Sequence, residues 1–154
     1  MALLEQQLVV KRSQLPDSGK GLFTKKFIPK GTRIVEYKGK IKTWKEAAHE
    51  ENGYIYHVNR NHVIDAKPYP KALARYANDA RGLVRIKGLT NNSDYIEDGK
   101  RVYITSKKDI PAGAEILVGY GKEYWDVIRH NIKIDKANQK KATAKKKCLV
   151  KKRK

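Results

Sequence analysis

Three short stretches bring together residue types that could do chemistry. Ser18-Gly19-Lys20-Gly21-Leu22-Phe23 sets two glycines around a lysine ahead of an apolar pair, and glycines so spaced let a ligand approach the backbone closely. The loop lacks the third glycine and the following helix of a dinucleotide fingerprint, and the Gly-Lys-Ser/Thr of a P-loop. It is therefore a close-approach loop or a plain turn, not a phosphate cradle. Ala74-Arg75-Tyr76-Ala77-Asn78-Asp79-Ala80-Arg81-Gly82 packs Arg, Tyr, Asn, Asp and Arg between apolar runs. It reads either as a polar site or as a surface turn with an Asn-Asp bend. Gly119-Tyr120-Gly121 ends an apolar strand. Small neighbours there leave a phenol exposed in a tight pocket, unless the tyrosine simply closes the core.

The elements that must position these residues read as mainly β. Gln7–Ser13, Arg33–Tyr37, Tyr54–Val58, Val63–Asp65, Arg101–Thr105 and Glu115–Val118 are short β-branched or aromatic runs separated by Gly, Pro, Asn and Asp, the pattern of many short strands. Thr43 with Glu46 three residues on forms a capping box opening a helix over Trp44–Glu51. Pro70–Ala77 suits a short helical turn. Tyr124, Trp125, Ile128 and Ile132 recur at helical spacing and predict a C-terminal helix over Lys122–Ile132. One echo stands out: Phe27-Ile28-Pro29-Lys30-Gly31-Thr32-Arg33-Ile34 returns as Asp109-Ile110-Pro111-Ala112-Gly113-Ala114-Glu115-Ile116. Each has Pro and Gly at turn positions and then a strand, so two similar β corners are expected.

Charge and composition narrow the classes. The 154 residues carry 35 Lys+Arg against 16 Asp+Glu, a net charge of +19, in a length that suits one domain or one domain with a tail. Residues 129–154 hold 12 basic residues and one acid, Asp135. From Lys136 onward there is no acid and no aromatic residue. By composition the chain thus divides into a domain over 1–135 and a disordered basic tail over 136–154. Nucleic acid or another acidic surface is the partner such a tail suits. The one cysteine, Cys148, excludes an internal disulfide framework and a multi-cysteine zinc cluster, so no metal is expected and the setting is reducing and intracellular. No apolar run reaches the roughly 20 residues of a membrane span, and the N-terminal stretch lacks the pattern of a secretory signal.

In order and spacing, five blocks resemble the SET-domain family of protein lysine methyltransferases, over about Val10 to Trp125. Ser18–Phe23 resembles the family's opening Gly-x-Gly motif. Ile34-Val35-Glu36-Tyr37-Lys38-Gly39 is similar to its next strand, and Val63-Ile64-Asp65-Ala66 to the strand ending in Asp-Ala. Arg75-Tyr76-Ala77-Asn78 matches the Arg-aromatic-x-Asn ahead of the family's His-Ser-Cys. Ile110 to Gly121 resembles the closing Gly-Glu-Glu-Leu stretch and its terminal Tyr-Gly.

The resemblance implies a β-clip of small sheets with a pseudoknot, short helices and a C-terminal helix. It also implies S-adenosylmethionine on one face, a target lysine entering from the other, and a narrow channel between them. The Lys20, Gly21 and Leu22 stretch would meet the methionine end of the cofactor, Asn78 its amino-acid part, and the Asp79 backbone its adenine. Tyr120 would be the phenol at the channel. Methyl transfer from a sulfonium to a neutral amine needs no protein nucleophile and no metal. It needs alignment and a site that favours the uncharged lysine.

Departures from the family pattern refine the expectation. Asp79 and Ala80 stand where the family has His and Ser. Arg81–Thr90 lengthens the path to Asn92, and Ala114 replaces one paired glutamate. The family's post-SET cysteines are absent, so the C-terminal helix would act as lid with Trp125 over the adenine, or Trp125 is an ordinary core residue. Val118 occupies a position where the family often has Tyr or Phe. Tyr95, in Asn92-Ser93-Asp94-Tyr95, would then line the channel with Tyr56 and Tyr54, which period-2 alternation puts on one face. Such a channel predicts mainly monomethylation. By family analogy the substrate is a histone lysine and the location nuclear or chromatin-associated; this protein's own tail is the other basic candidate. A non-catalytic SET-like module and a basic nucleic-acid-binding β domain remain the competing classes.

Overall fold

In a computed structural model, residues 3–47, 54–82 and 85–152 are described. Among these described residues, nine strands form three antiparallel sheets of three. The first holds β1 (Leu8–Arg12), β2 (Lys20–Thr24) and β9 (Glu115–Ile116), the second β3 (Arg33–Glu36), β8 (Arg101–Ser106) and β7 (Ser93–Asp98), and the third β4 (Lys40–Lys42), β6 (His62–Asp65) and β5 (Ile55–Asn59). The middle strand of each sheet explains the arrangement. Leu22 and Phe23 of β2, Val63 and Ile64 of β6, and Val102 and Ile104 of β8 are all buried. The flanking strands β4, β5 and β7 are mostly half-buried or exposed, as strands with a wet face are.

Three of the strands, β1, β3 and β9, lie inside runs read from the sequence, and β5, β6 and β8 each extend one residue beyond theirs. Three strands were not anticipated in that way. β2 grows directly out of the glycine loop, β4 is three residues of a Lys-Ile-Lys edge, and β7 has Ser and Asp at its ends. The capping box forms as expected: Thr43 N–H donates to Glu46 Oε1 at 3.1 Å, and Glu46 N–H donates to Thr43 Oγ1 at 3.4 Å. The Thr43 N–H holds the Glu46 carboxyl below its ordinary value. The helix it opens, α1, is described over Trp44–Ala47; the rest of the expected Trp44–Glu51 span lies outside the described residues. The turn expected over Pro70–Ala77 is a 3-10 turn at Leu73–Tyr76.

The sequence echo has a structural meaning. Ile28 and Ile110 pair antiparallel, each N–H donating to the other's carbonyl at 2.9 and 2.8 Å. The glycines that follow, Gly31 and Gly113, adopt φ of 82° and 84°, a region that costs glycine nothing. The two corners are thus one paired feature, with both isoleucines fully buried.

By its contacts the chain divides into one compact unit ending at Gly119 and a second from Tyr120. The second contains α2, a helix running Lys122–Lys152. It covers the predicted Lys122–Ile132 helix and continues through the segment read as a disordered tail. The reason lies in local propensity: Ala, Lys and Gln dominate from Lys136 onward, and they are strong helix formers that need no partner to favour the helix over other regular structure. Composition measures what a segment can bury, not which backbone it prefers. No helix among the described residues is long and apolar enough to cross a membrane.

Candidate active site

The glycine loop is locked from below by a residue a hundred positions away. Glu115 on β9 is 2% exposed. Its Oε2 accepts the Ser13 hydroxyl at 2.7 Å and its Oε1 the Gln14 N–H at 2.9 Å. Ser13 Oγ in turn accepts the Leu15 N–H at 3.1 Å. Gly21 lies directly above this carboxyl, and a Cβ built there would overlap Glu115 Oε2. Glycine is required at 21 for this close approach, and β2 then carries Leu22 into the core.

Asn78 ties the same strand to the polar Arg75–Gly82 stretch. Its Nδ2 donates to the Lys20 carbonyl at 3.0 Å, while its own carbonyl accepts the Val118 N–H at 2.9 Å. Segment 115–118 makes the knot. It pairs with β2 through Glu115 and Ile116, with Asn78 through Leu117, and with Ser93 through Val118. Asn92 clamps the other side: its Nδ2 donates to the Glu115 carbonyl at 2.9 Å and its Oδ1 accepts the Leu117 N–H at 3.0 Å. Val118 is fully buried within this crossing.

Asp79, placed where the resembled family has His, is buried and used by the fold. Its Oδ1 accepts the Arg81 N–H and the Asn91 Nδ2, both at 2.8 Å. Asn91 Oδ1 accepts the Ala80 N–H at 2.8 Å. An Asp–Asn clasp therefore closes the long Arg81–Thr90 loop, and a carboxyl suits that site because its partners are both donors.

Of the three tyrosines expected together, Tyr56 and Tyr95 meet, and Tyr37 joins them. Tyr56 and Tyr95 have ring centroids 5.2 Å apart. Tyr37, which follows β3, lies 6.0 Å from Tyr56 and 5.9 Å from Tyr95. Three separate stretches of chain, drawn from two of the sheets, thus meet in one aromatic cluster. The Tyr56 hydroxyl donates to Glu97 Oε1 at 3.2 Å. Burial, reinforced by the Glu97 charge and hydrogen bond, pushes the Tyr56 phenol up to about 12. The Tyr37 hydroxyl donates to the Tyr54 carbonyl at 2.7 Å. The Tyr54 ring itself faces the Arg75 guanidinium, 4.0 Å from the ring centroid. Arg75 also donates to the Ala66 and Lys67 carbonyls at 3.0 Å each.

In the second unit Tyr120 stacks on Trp125, centroids 5.8 Å apart and planes 13° from parallel, with Tyr124 edge-on to both at 5.0 and 5.1 Å. The first turn of α2 builds this cluster because positions 124 and 125 leave the helix just beyond Gly121, whose φ is 94°.

Of the residues singled out beforehand, Lys20, Gly21, Leu22, Asn78 and Asp79 are brought together around the knot, and Tyr56 with Tyr95 in the aromatic cluster. Tyr120 and Trp125 meet each other in the second unit. Sequence reasoning missed Tyr37, Glu97, Asn91 and the part played by Glu115. The signal for Tyr37 was its place at the end of an apolar run next to Gly39; the others are polar residues whose partners are far away in sequence. Among the described residues no group of three His, Cys, Asp or Glu could hold a metal ion.

The knot, the three-sheet clip and the glycine loop under Asn78 define a class. The model of the SET domain family matches residues 19–121, more than half of the chain, and the chain belongs to that family. It is similar to mouse histone-lysine N-methyltransferase EHMT1, at 29% identity over 131 residues that take in 80% of this chain and 10% of that protein. The chain thus spans about a tenth of that relative's length. Among solved structures it resembles the methyltransferase domain of human PR domain-containing protein 2. That match has a TM-score of 0.57 and 25% identity, over 77% of this chain and 82% of the other.

Proposed function

We propose that this chain is an S-adenosylmethionine-dependent protein-lysine N-methyltransferase and that its target is a histone lysine. Family membership supports the methyltransferase class, and the name of the mouse relative supports the histone. The observation that carries the reading is the convergence of Tyr37, Tyr56 and Tyr95 within 6.0 Å of one another. Such a cluster suits a narrow wall around an aliphatic amine.

The residues present fit the cofactor's chemistry. Asn78, held by its Nδ2 bond to the Lys20 carbonyl, offers an amide with both an acceptor and a donor, which is what a zwitterionic amino-acid group requires. The backbone of Lys20, Gly21 and Leu22 would lie along the methionine end, and that of Asp79 by the adenine. Within the second unit, Tyr120 and Trp125 offer aromatic faces of the kind that suit a sulfonium and a purine. When bound, S-adenosylmethionine supplies the activated methyl group. The protein's part is to hold a lysine amine, uncharged, in line with it. The tyrosine walls exclude water and so disfavour the ammonium. Because the neutral Tyr56 hydroxyl donates its hydrogen bond to Glu97, its oxygen is left to accept an N–H of the amine, which fixes the direction of the nitrogen lone pair. A chromatin location accompanies the histone reading.

Incubation with methyl-labelled cofactor and core histones, a bulk basic protein, or the chain alone tests this. Label on histone lysine is the expected result. Label confined to the chain itself would replace the histone with the basic C-terminal segment. Cofactor binding by calorimetry without transfer would make the chain a non-catalytic module, and absence of binding would overturn the cofactor site.

A further inference from the structure

The C-terminal helix carries a surface that methyl transfer does not use. At 3.6 residues per turn, Lys133, Lys136 and Lys140 of α2 fall within about 60° of one another around the axis, and all three are exposed. The helix backbone continues to Lys152, and the sequence sets Lys147 and Lys151 at the same phase. These five positions span about 27 Å at 1.5 Å per residue. At the N-terminal end Arg129 is engaged by Asp126, 3.6 Å away, so the row is counted from Lys133. The one acid further along, Asp135, lies about 130° around the helix from the row.

We infer that this lysine row is a binding surface for double-stranded DNA, read through its phosphates and independent of sequence. An α-helix about 10–12 Å across fits a major groove about 12 Å wide, and a row of about 27 Å runs past roughly eight base pairs at 3.4 Å each. The occupant is set by what the helix lacks as well as by its charge. A helix lying on an anionic membrane needs a continuous apolar face opposite its cations. From Ala137 to Lys147 the only apolar side chains are alanines. The continuous phosphate line of a duplex is the partner that a regular cation row complements. The inference stands on the helix alone and holds whether or not the chain transfers methyl groups.

Fluorescence anisotropy of a labelled duplex of about 20 base pairs, titrated with the full chain without cofactor over a salt series, tests it. Each phosphate neutralised contributes a slope of about −0.9 in log affinity against log salt. Gln at 133, 136, 140, 147 and 151 keeps helix propensity. It should flatten the slope by about 4 and weaken binding at low salt at least about tenfold. Arg at the same five positions should retain binding. Gln at five exposed lysines of the first unit, Lys25, Lys26, Lys30, Lys71 and Lys87, should cost less than half as much. Equal losses from the two Gln sets would reduce the row to diffuse charge and overturn the inference. So would tighter binding to anionic lipid vesicles or to polyglutamate than to the duplex.

Discussion

Gly21→Ala should destabilise the fold by about 2 kcal/mol, and most of that cost should vanish when Glu115 is also replaced by Ala. A Cβ at position 21 overlaps Glu115 Oε2 and stands 3.0 Å from Glu115 Cδ and 3.2 Å from Ser13 Cβ. A carboxyl at the end of a flexible side chain would ordinarily move aside at little cost. This one is 2% exposed and holds the Ser13 hydroxyl at 2.7 Å and the Gln14 N–H at 2.9 Å. Displacing it strands at least one of those donors, each worth about 1–3 kcal/mol when buried and unpaired. Glu115→Ala alone removes the same bonds and leaves a void, for about 2–4 kcal/mol. In the double variant the alanine at 21 meets only Ser13, so the two changes should couple by about 1–2 kcal/mol. Denaturant unfolding of the four proteins in the cycle measures this directly. Costs that add within about 0.5 kcal/mol would refute the idea that the glycine exists to accommodate the buried carboxyl.

Tyr120→Phe should abolish most methyl transfer while keeping the fold; near wild-type turnover in the folded variant would remove the phenol from the chemistry. Asn78→Ala should weaken cofactor binding by about 1–3 kcal/mol through an unpaired polar group, read by calorimetry. Tyr56, raised to about 12 from an ordinary 10 by burial and by Glu97, should stay neutral across the working pH range. Because its folded value lies above the unfolded one, its contribution to stability is complete below about pH 10 and is lost as pH rises through about 12. Ultraviolet titration against Tyr56→Phe should locate that phenol, and Glu97→Gln should bring its midpoint down; an unmoved midpoint would remove Glu97 as a cause. Tyr95→Phe should shift a mainly monomethylated peptide towards dimethyl product. Mass spectrometry showing abundant trimethyl product from the wild type would mean a wider channel.

What was legible in the sequence was whatever rested on local pattern. The middle strands β6 and β8 show as apolar runs, and the Thr43–Glu46 box, the helical spacing of Tyr124 to Ile132 and the Pro-Gly corners each lie within one window. β4 and β7 escaped because exposed edge strands bury too little to leave a run. The Glu115–Ser13 and Asp79–Asn91 bonds join residues 102 and 12 positions apart. Their partners are polar residues, unremarkable where they stand, and only closure of the chain supplies the reason for them. Tyr37 belongs to both groups: its strand was read, but its meeting with Tyr56 depends on a second sheet and its meeting with Tyr95 on the far edge of its own.

The knot imposes an order on how the protein comes into being. Segment 115–118 completes hydrogen bonds with β2, Asn78 and the Asn92–Ser93 stretch together. A ribosome-bound chain therefore carries its glycine loop for about ninety residues, and Asn78 for about forty, before segment 115–118 joins them. Contacts so distant in sequence make folding slow relative to helical proteins of this size. The same arrangement makes the site indivisible: a fragment cut before Glu115 holds the glycine loop, Asn78 and the Tyr37, Tyr56 and Tyr95 cluster, and lacks the strand that ties the loop to Asn78.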